Sequence, residues 1–80
     1  LAILLVIDDE HSVRYSFRRI FEGEKGTVLT ASSAAEGLAL FRERRPDVVV
    51  LDLQLPDGNG LDVFRAIHEE DPRRPVIFIT

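Results

Sequence analysis

The chain has no cysteine, which excludes disulfides and thiolate metal sites and fits a reducing cytosol. Nor has it a long hydrophobic run. The longest, Leu1 to Ile7, falls far short of the roughly 20 apolar residues a membrane span needs. No positively charged stretch precedes that run, so it does not read as a secretory signal, and no membrane partner is expected. Lysine occurs once, at Lys25. The net charge is −4, and the basic residues Arg42, Arg44, Arg45, Arg73 and Arg74 form two short clusters that read as solvated helix ends. Direct nucleic-acid contact from this segment is therefore not expected. Linkers, internal repeats and low-complexity stretches are also missing.

What remains is an ordinary globular composition. Hydrophobic residues are 45% and charged residues 30% of 80, which suits one domain, residues 1–80, and no more. Periodic apolar segments fill most of the length, so disorder is not expected. Size is the concern, because below about 70–80 residues one core rarely supplies more than about 3–5 kcal/mol.

Two kinds of segment alternate. "LAILLVI" and "DVVVL" are continuous apolar runs, the pattern of strands buried on both faces. "TVLTA" is a shorter β-branched strand and "PVIFIT" a fourth. Between them, Val13, Phe17, Ile20 and Phe21 fall at helical spacing, with Gly23 where that helix would stop. Ser33 and Glu36 match a capping box, and Ala34, Leu38 and Phe41 line the face of the helix that follows. Gly37 weakens that helix by about 1 kcal/mol relative to Ala, and Pro46 ends it by pushing its predecessor out of the α region. Leu61, Phe64 and Ile67 suggest a third helix, closed by Asp71-Pro72. The order β-α-β-α-β-α-β predicts a parallel sheet with right-handed crossovers and helices on both faces.

In such a sheet ligands bind at the carboxyl ends of the strands. Asp8, Asp9 and Glu10 follow the first strand, Asp52 follows the third and Thr80 ends the fourth. If the first and third strands are neighbours, Asp8, Asp9 and Asp52 crowd together, and like charges a few ångströms apart raise one another's pKa. A bound cation removes the conflict. Oxygen ligands without cysteine point to a hard metal, and Mg²⁺, which takes one or two carboxylates together with waters and phosphate oxygens, fits best. The plainer reading stands beside it: a lone Asp after a strand is more often a turn residue or helix cap. Asp57 reads as a turn former, His11 as a solvated residue opening the first helix rather than a ligand, and His68 as surface.

Three stretches, "LLVIDDE", "VVVLDLQLPDGNG" and "PVIFIT", resemble the receiver domain of two-component response regulators, and the likeness spans the chain. It implies a flavodoxin-like (CheY-like) three-layer α/β sandwich with sheet order 2-1-3-4-5. It implies that Asp52 is the phosphoacceptor, that Asp8 and Asp9 hold Mg²⁺ with Asp52, that the backbone carbonyl of Gln54 joins them, and that Thr80 is the switch hydroxyl. The implied partners are a sensor histidine kinase and a C-terminal output domain, and the implied location of the chain itself is the cytoplasm. The wording "PDGNGLDVF" is most similar to receivers of NtrC-like, sigma-54-dependent transcription activators, which would make that output transcriptional and DNA-binding. The implied activity is that of a phosphoprotein which promotes its own phosphotransfer and dephosphorylation, not of an enzyme.

One departure stands out. Receivers carry a lysine at the end of a fifth strand, and Lys25 cannot take that part. A fourth helix, fifth strand and fifth helix have no counterpart here. The expectation is a receiver truncated after its fourth strand, a fragment of a longer chain, with one sheet face beside the first helix uncovered and an apolar open edge on the fourth strand. Completion by exchange within a homodimer is a second way to cover it. Two other functions compete. An Asp-nucleophile Mg²⁺ phosphatase of the haloacid dehalogenase type would carry a second acid two residues after the first, where Gln54 follows Asp52. An unphosphorylated pseudo-receiver, a pure interaction module, would not need Asp8, Asp9, Asp52 and Thr80 together.

Overall fold

The computed structural model describes residues 1–24 and 26–79. Strand β1 (Ala2–Ile7) leads into helix α1 (His11–Phe21), β2 (Gly26–Ala31), α2 (Ala34–Arg44) and β3 (Val48–Asp52). After β3 come a short hairpin, β4 (Gln54–Leu55) and β5 (Gly58–Asn59), then α3 (Gly60–Glu70) and β6 (Val76–Ile79). The four long strands form one parallel sheet in the order β2-β1-β3-β6. The two apolar runs with the strongest strand pattern, β1 and β3, are thus the inner strands, where both faces need cover. The turn-rich stretch "PDGNG" is not plain loop but part of that hairpin, which pairs Gln54 with Asn59 and Leu55 with Gly58.

Alternate residues of a strand point to opposite faces, and the core divides accordingly. Leu5, Ile7, Val49 and Leu51 face α2 and α3, packing with Phe41, Val63 and Ile67, all buried. Val6, Val28 and Val50 face the side of α1, where Phe17 packs against them. The second side is the weaker one, since no residue of α1 is buried. Ile20 is 72% and Phe21 51% exposed, although their spacing predicts an inward face. An open apolar groove of about 340 Å³ runs there, lined by Ile3, Leu4, Phe17, Phe21, Val48 and Ile77 among others.

Helix ends follow the chemistry of their residues with two differences. Ser33 caps α2, its Oγ accepting the N–H of Glu36 at 3.2 Å. Glu36 reaches back to the N–H of Ser32 at 2.8 Å, one residue earlier than in the usual capping box. Arg45 leaves the right-handed region before Pro46, yet takes left-handed values (φ 48°, ψ 63°) rather than extended ones, and donates its N–H to the Phe41 carbonyl at 3.0 Å. In α3 the inward residues are Gly60, Val63 and Ile67, while Leu61 is turned outward. Among the described residues no helix is long and apolar enough to cross a membrane.

Candidate functional site

Because β1 and β3 are neighbours, Ile7 lies opposite Leu51, and the residues that follow emerge side by side. Asp8, Asp9 and Asp52 each offer a carboxylate oxygen, and these atoms all lie within 4.8 Å of one another. Asp8 is buried, at 4% exposure, Asp52 half-buried and Asp9 exposed.

Asp8 is held at three points. Its N–H donates to the carbonyl of Ala31 (3.0 Å), its Oδ1 accepts from the N–H of Glu10 (2.9 Å), and its carbonyl accepts from Arg14 Nη1 (2.8 Å). Removal from water pushes its carboxyl above the ordinary value of 3.8. The Glu10 N–H pulls the other way, the charges of Asp52 and then Asp9 add to the rise, and Arg14 opposes it. Arg14 spends its hydrogen bond on the Asp8 carbonyl, and none of the ion pairs among the described residues involves Asp8, Asp9 or Asp52. Among the described residues the cluster is therefore a pocket of like charge with oxygen donors only and no ion-paired cation. That donor set suits a hard divalent ion such as Mg²⁺.

Asp52 ends β3. Its Oδ1 accepts from the N–H of Gln54 at 3.2 Å, and among the described residues no hydrogen bond occupies Oδ2. The chain can fold back against the backbone of Asp52 and Leu53 because residue 60 is glycine. A Cβ there would collide with the Asp52 carbonyl and lie 2.8 Å from Leu53 Cα, and the Gly60 N–H donates to the Leu53 carbonyl at 2.8 Å. Asp52 stands opposite Ile79 of β6. Thr80 and Lys25 lie outside the described residues. His11 is exposed and stacks on Tyr15, and His68 is exposed and stacks on Phe64; neither joins the acidic cluster.

Two residues do more than their sequence positions suggested. Asn59 caps α3, its Oδ1 accepting the N–H of Leu61 at 2.7 Å; an Asn directly before a helix is a sequence signal for this. Asp57 does not merely form a turn. Its two carboxylate oxygens accept the N–H groups of Ala34 (2.7 Å) and Ala35 (2.9 Å) at the start of α2. These bonds hold its pKa below the ordinary value of 3.8. No local signal announces a partner more than twenty residues away.

This geometry has close counterparts. A model of the response regulator receiver domain matches residues 4–80. The probable transcriptional regulatory protein TcrX of Mycobacterium tuberculosis is 39% identical over 77 residues, which cover 96% of this chain and 33% of that protein. A response regulator receiver domain protein from Clostridium thermocellum superposes with a TM-score of 0.89 at 40% identity, over 98% of this chain and 64% of that one. NtrX from Brucella abortus superposes with a TM-score of 0.91 at 33% identity, over 99% of this chain and 18% of that one. The chain thus spans about a third of the length of the curated relatives it matches. With its flavodoxin-like strand order, its acids at adjoining strand tips and that family match along nearly its whole length, the chain belongs to the response regulator receiver domain family.

Proposed function

We propose that residues 1–80 are the N-terminal portion of a phosphoacceptor receiver in which Asp52 takes a phosphoryl group from a phosphohistidine of a sensor kinase. The observation that carries this reading is the meeting of Asp8, Asp9 and Asp52 within 4.8 Å at the tips of adjacent strands. The Gln54 N–H holds Asp52 Oδ1, which leaves Oδ2 as the attacking atom. Its lone pair forms the new bond to phosphorus as the bond from phosphorus to the imidazole nitrogen breaks. That nitrogen keeps the electron pair, and Asp52 becomes an acyl phosphate. Phosphoryl transfer asks for positioning and charge neutralisation more than for covalent help.

Asp8, Asp9 and Asp52, with the Gln54 carbonyl, would hold Mg²⁺. When bound, the ion supplies the positive charge that lets a dianionic phosphoryl group approach three carboxylates. Asp8 is the fixed member, anchored by Glu10 N–H and Arg14, and Asp9 is the solvent-side member. The phosphorylated product carries more charge and three strong acceptor oxygens where one carboxylate stood. Thr80 is the hydroxyl proposed to follow it and bias a two-state element. The chain acts as a phosphoacceptor and does not turn over free phosphomonoesters. The partners proposed are a sensor histidine kinase and an output domain beyond this segment, with the receiver itself in the cytoplasm. The similarity to TcrX, a probable transcriptional regulatory protein, supports a transcriptional output.

Incubation with acetyl phosphate and Mg²⁺ tests the reading by intact mass. The expected result is a gain of one phosphoryl group that needs the cation and disappears in Asp52→Asn. No gain in the wild-type protein, or an undiminished gain in the variant, rejects Asp52 as acceptor.

A further inference from the structure

The segment between Asp52 and α3 is a small hairpin with little to hold it. β4 and β5 are two residues each. Their side-chain anchor in the core is Leu55, at 9% exposure. The hydrogen bonds of Gln54, Asn59 and Gly60 all close within the stretch from Asp52 to Leu61. Asp57 is the exception. Among the described residues, its carboxylate makes the only hydrogen bonds that join residues 53–59 to a distant element, to Ala34 N–H at 2.7 Å and Ala35 N–H at 2.9 Å.

Those two donors are the first two N–H groups of α2, which have no partner inside the helix. The third, from Glu36, is taken by Ser33 Oγ, and the Gly37 N–H bonds to the Ser33 carbonyl at 3.0 Å. So within the protein the first two N–H groups of α2 find their acceptors in the hairpin. At its other end the same hairpin begins at Gln54, whose N–H holds Asp52 Oδ1. A carboxylate with two hydrogen bonds to α2 therefore sits in the segment that begins beside Asp52.

We propose that Asp57 is a positioning residue that couples the acidic cluster to α2: its carboxylate fixes the β4–β5 hairpin on the α2 N-terminus, so ordering at the cluster is felt at Ala34 and Ala35. The proposal rests on the reading that Asp8, Asp9 and Asp52 hold Mg²⁺. Coupling between two sites is reciprocal. If the cation steadies the hairpin, it protects the Ala34 and Ala35 amides, and loss of the carboxylate weakens the cation by the same factor.

Amide hydrogen exchange of the protein, followed by NMR with and without saturating Mg²⁺, tests this. Mg²⁺ is expected to shift the Asp52 amide and to slow exchange at Ala34 and Ala35 by about fivefold or more, the lower end of ordinary coupling. Asp57→Asn, which keeps the side-chain size, should abolish the slowing and weaken Mg²⁺ binding by the same factor. Ser33→Ala loosens the start of α2 without cutting the tie, and should leave Mg²⁺ affinity unchanged. A shift at Asp52 with unchanged exchange at Ala34 and Ala35 overturns the coupling and leaves the metal reading standing. Equal loss of affinity in Ser33→Ala also overturns it, because general loosening of α2 then accounts for the effect. No response to Mg²⁺ at Asp52 overturns the metal reading and the coupling with it.

Discussion

Asp8 is where burial and like charge meet. Its carboxyl is raised above 3.8, by lost hydration first and by Asp52 and Asp9 after the opposing Glu10 N–H. An acid whose folded pKa is raised binds its proton more tightly in the folded chain than in the unfolded one. Stability therefore falls as pH rises from the ordinary value of 3.8 through the folded value, and stays lower above it. Asp8→Asn keeps an oxygen for the Glu10 N–H and removes the charge. In the absence of divalent ions at neutral pH it should stabilise the fold by on the order of 1 kcal/mol, or about 4–8 °C in the unfolding midpoint for a domain of this size. If the cluster holds Mg²⁺ as proposed, the ion should stabilise the wild-type protein and this variant should lose that gain. Thermal melts of both proteins at pH 3 and 7, with and without Mg²⁺, check the sign. The clustering of these acids was legible in the sequence because Asp8 and Asp52 directly follow apolar runs, with Asp9 next to Asp8, and a strand tip is a local fact. The role of Asp57 was not, because its partners belong to another helix and a turn residue looks the same whether or not it is bonded.

Among the elements, α2 shows how packing outweighs intrinsic preference. Gly37 lowers helix propensity, yet a Cβ at that position would stand 2.5 Å from Ile7 Cδ1 and 2.9 Å from Cγ1. The helix approaches β1 this closely only with glycine there. Gly37→Ala would gain about 1 kcal/mol of propensity against about 1–3 kcal/mol of overpacking, and a net loss is expected. Ile7→Val removes the nearest colliding atom, so its own cost of about 0.5–1.5 kcal/mol should shrink or reverse in the Gly37→Ala background. A double-mutant cycle by urea denaturation reads that interaction directly. The existence and order of the long elements were legible from two periods, near-continuous runs for strands and three-to-four spacing for helices. The inward face of α3 was not, since Leu61-Phe64 and Gly60-Val63 share one spacing offset by a single residue. Close approach of Gly60 to Leu53 decides between them. The hairpin β4–β5 was missed because two-residue strands carry no period at all.

At the scale of the molecule the two sides of the sheet are unequal. The Cα radius of gyration is 11.4 Å, close to the roughly 12 Å expected for a compact chain of this length, so the imbalance does not come from a loose fold. α2 and α3 seal one side with Phe41, Val63 and Ile67, whereas α1 leaves Phe21 and Ile77 each about half exposed along the groove. An apolar patch of this kind binds partners or dyes. A protein of residues 1–80 should enhance the fluorescence of an apolar dye in its native state, and Phe21→Glu with Ile77→Lys should lower that signal severalfold while circular dichroism is retained. An unchanged signal would place the dye elsewhere. An uncovered sheet face beside α1 was expected from the receiver resemblance, but the depth of exposure along α1 was not, because an amphipathic spacing tells which residues could turn inward and not whether anything meets them.

The order β2-β1-β3-β6 has one more outcome. Asp8 and Asp52 are far apart along the chain and become neighbours only through the pairing of β1 with β3. Neither half of the chain holds the site, and a disordered chain does not hold it either. A cation that recognises the assembled trio is thus a ligand of the native state alone, and each rise in its concentration draws molecules out of the denatured pool. In the receiver proposed above, such an ion would also act as a quality filter, rewarding only chains that have finished folding.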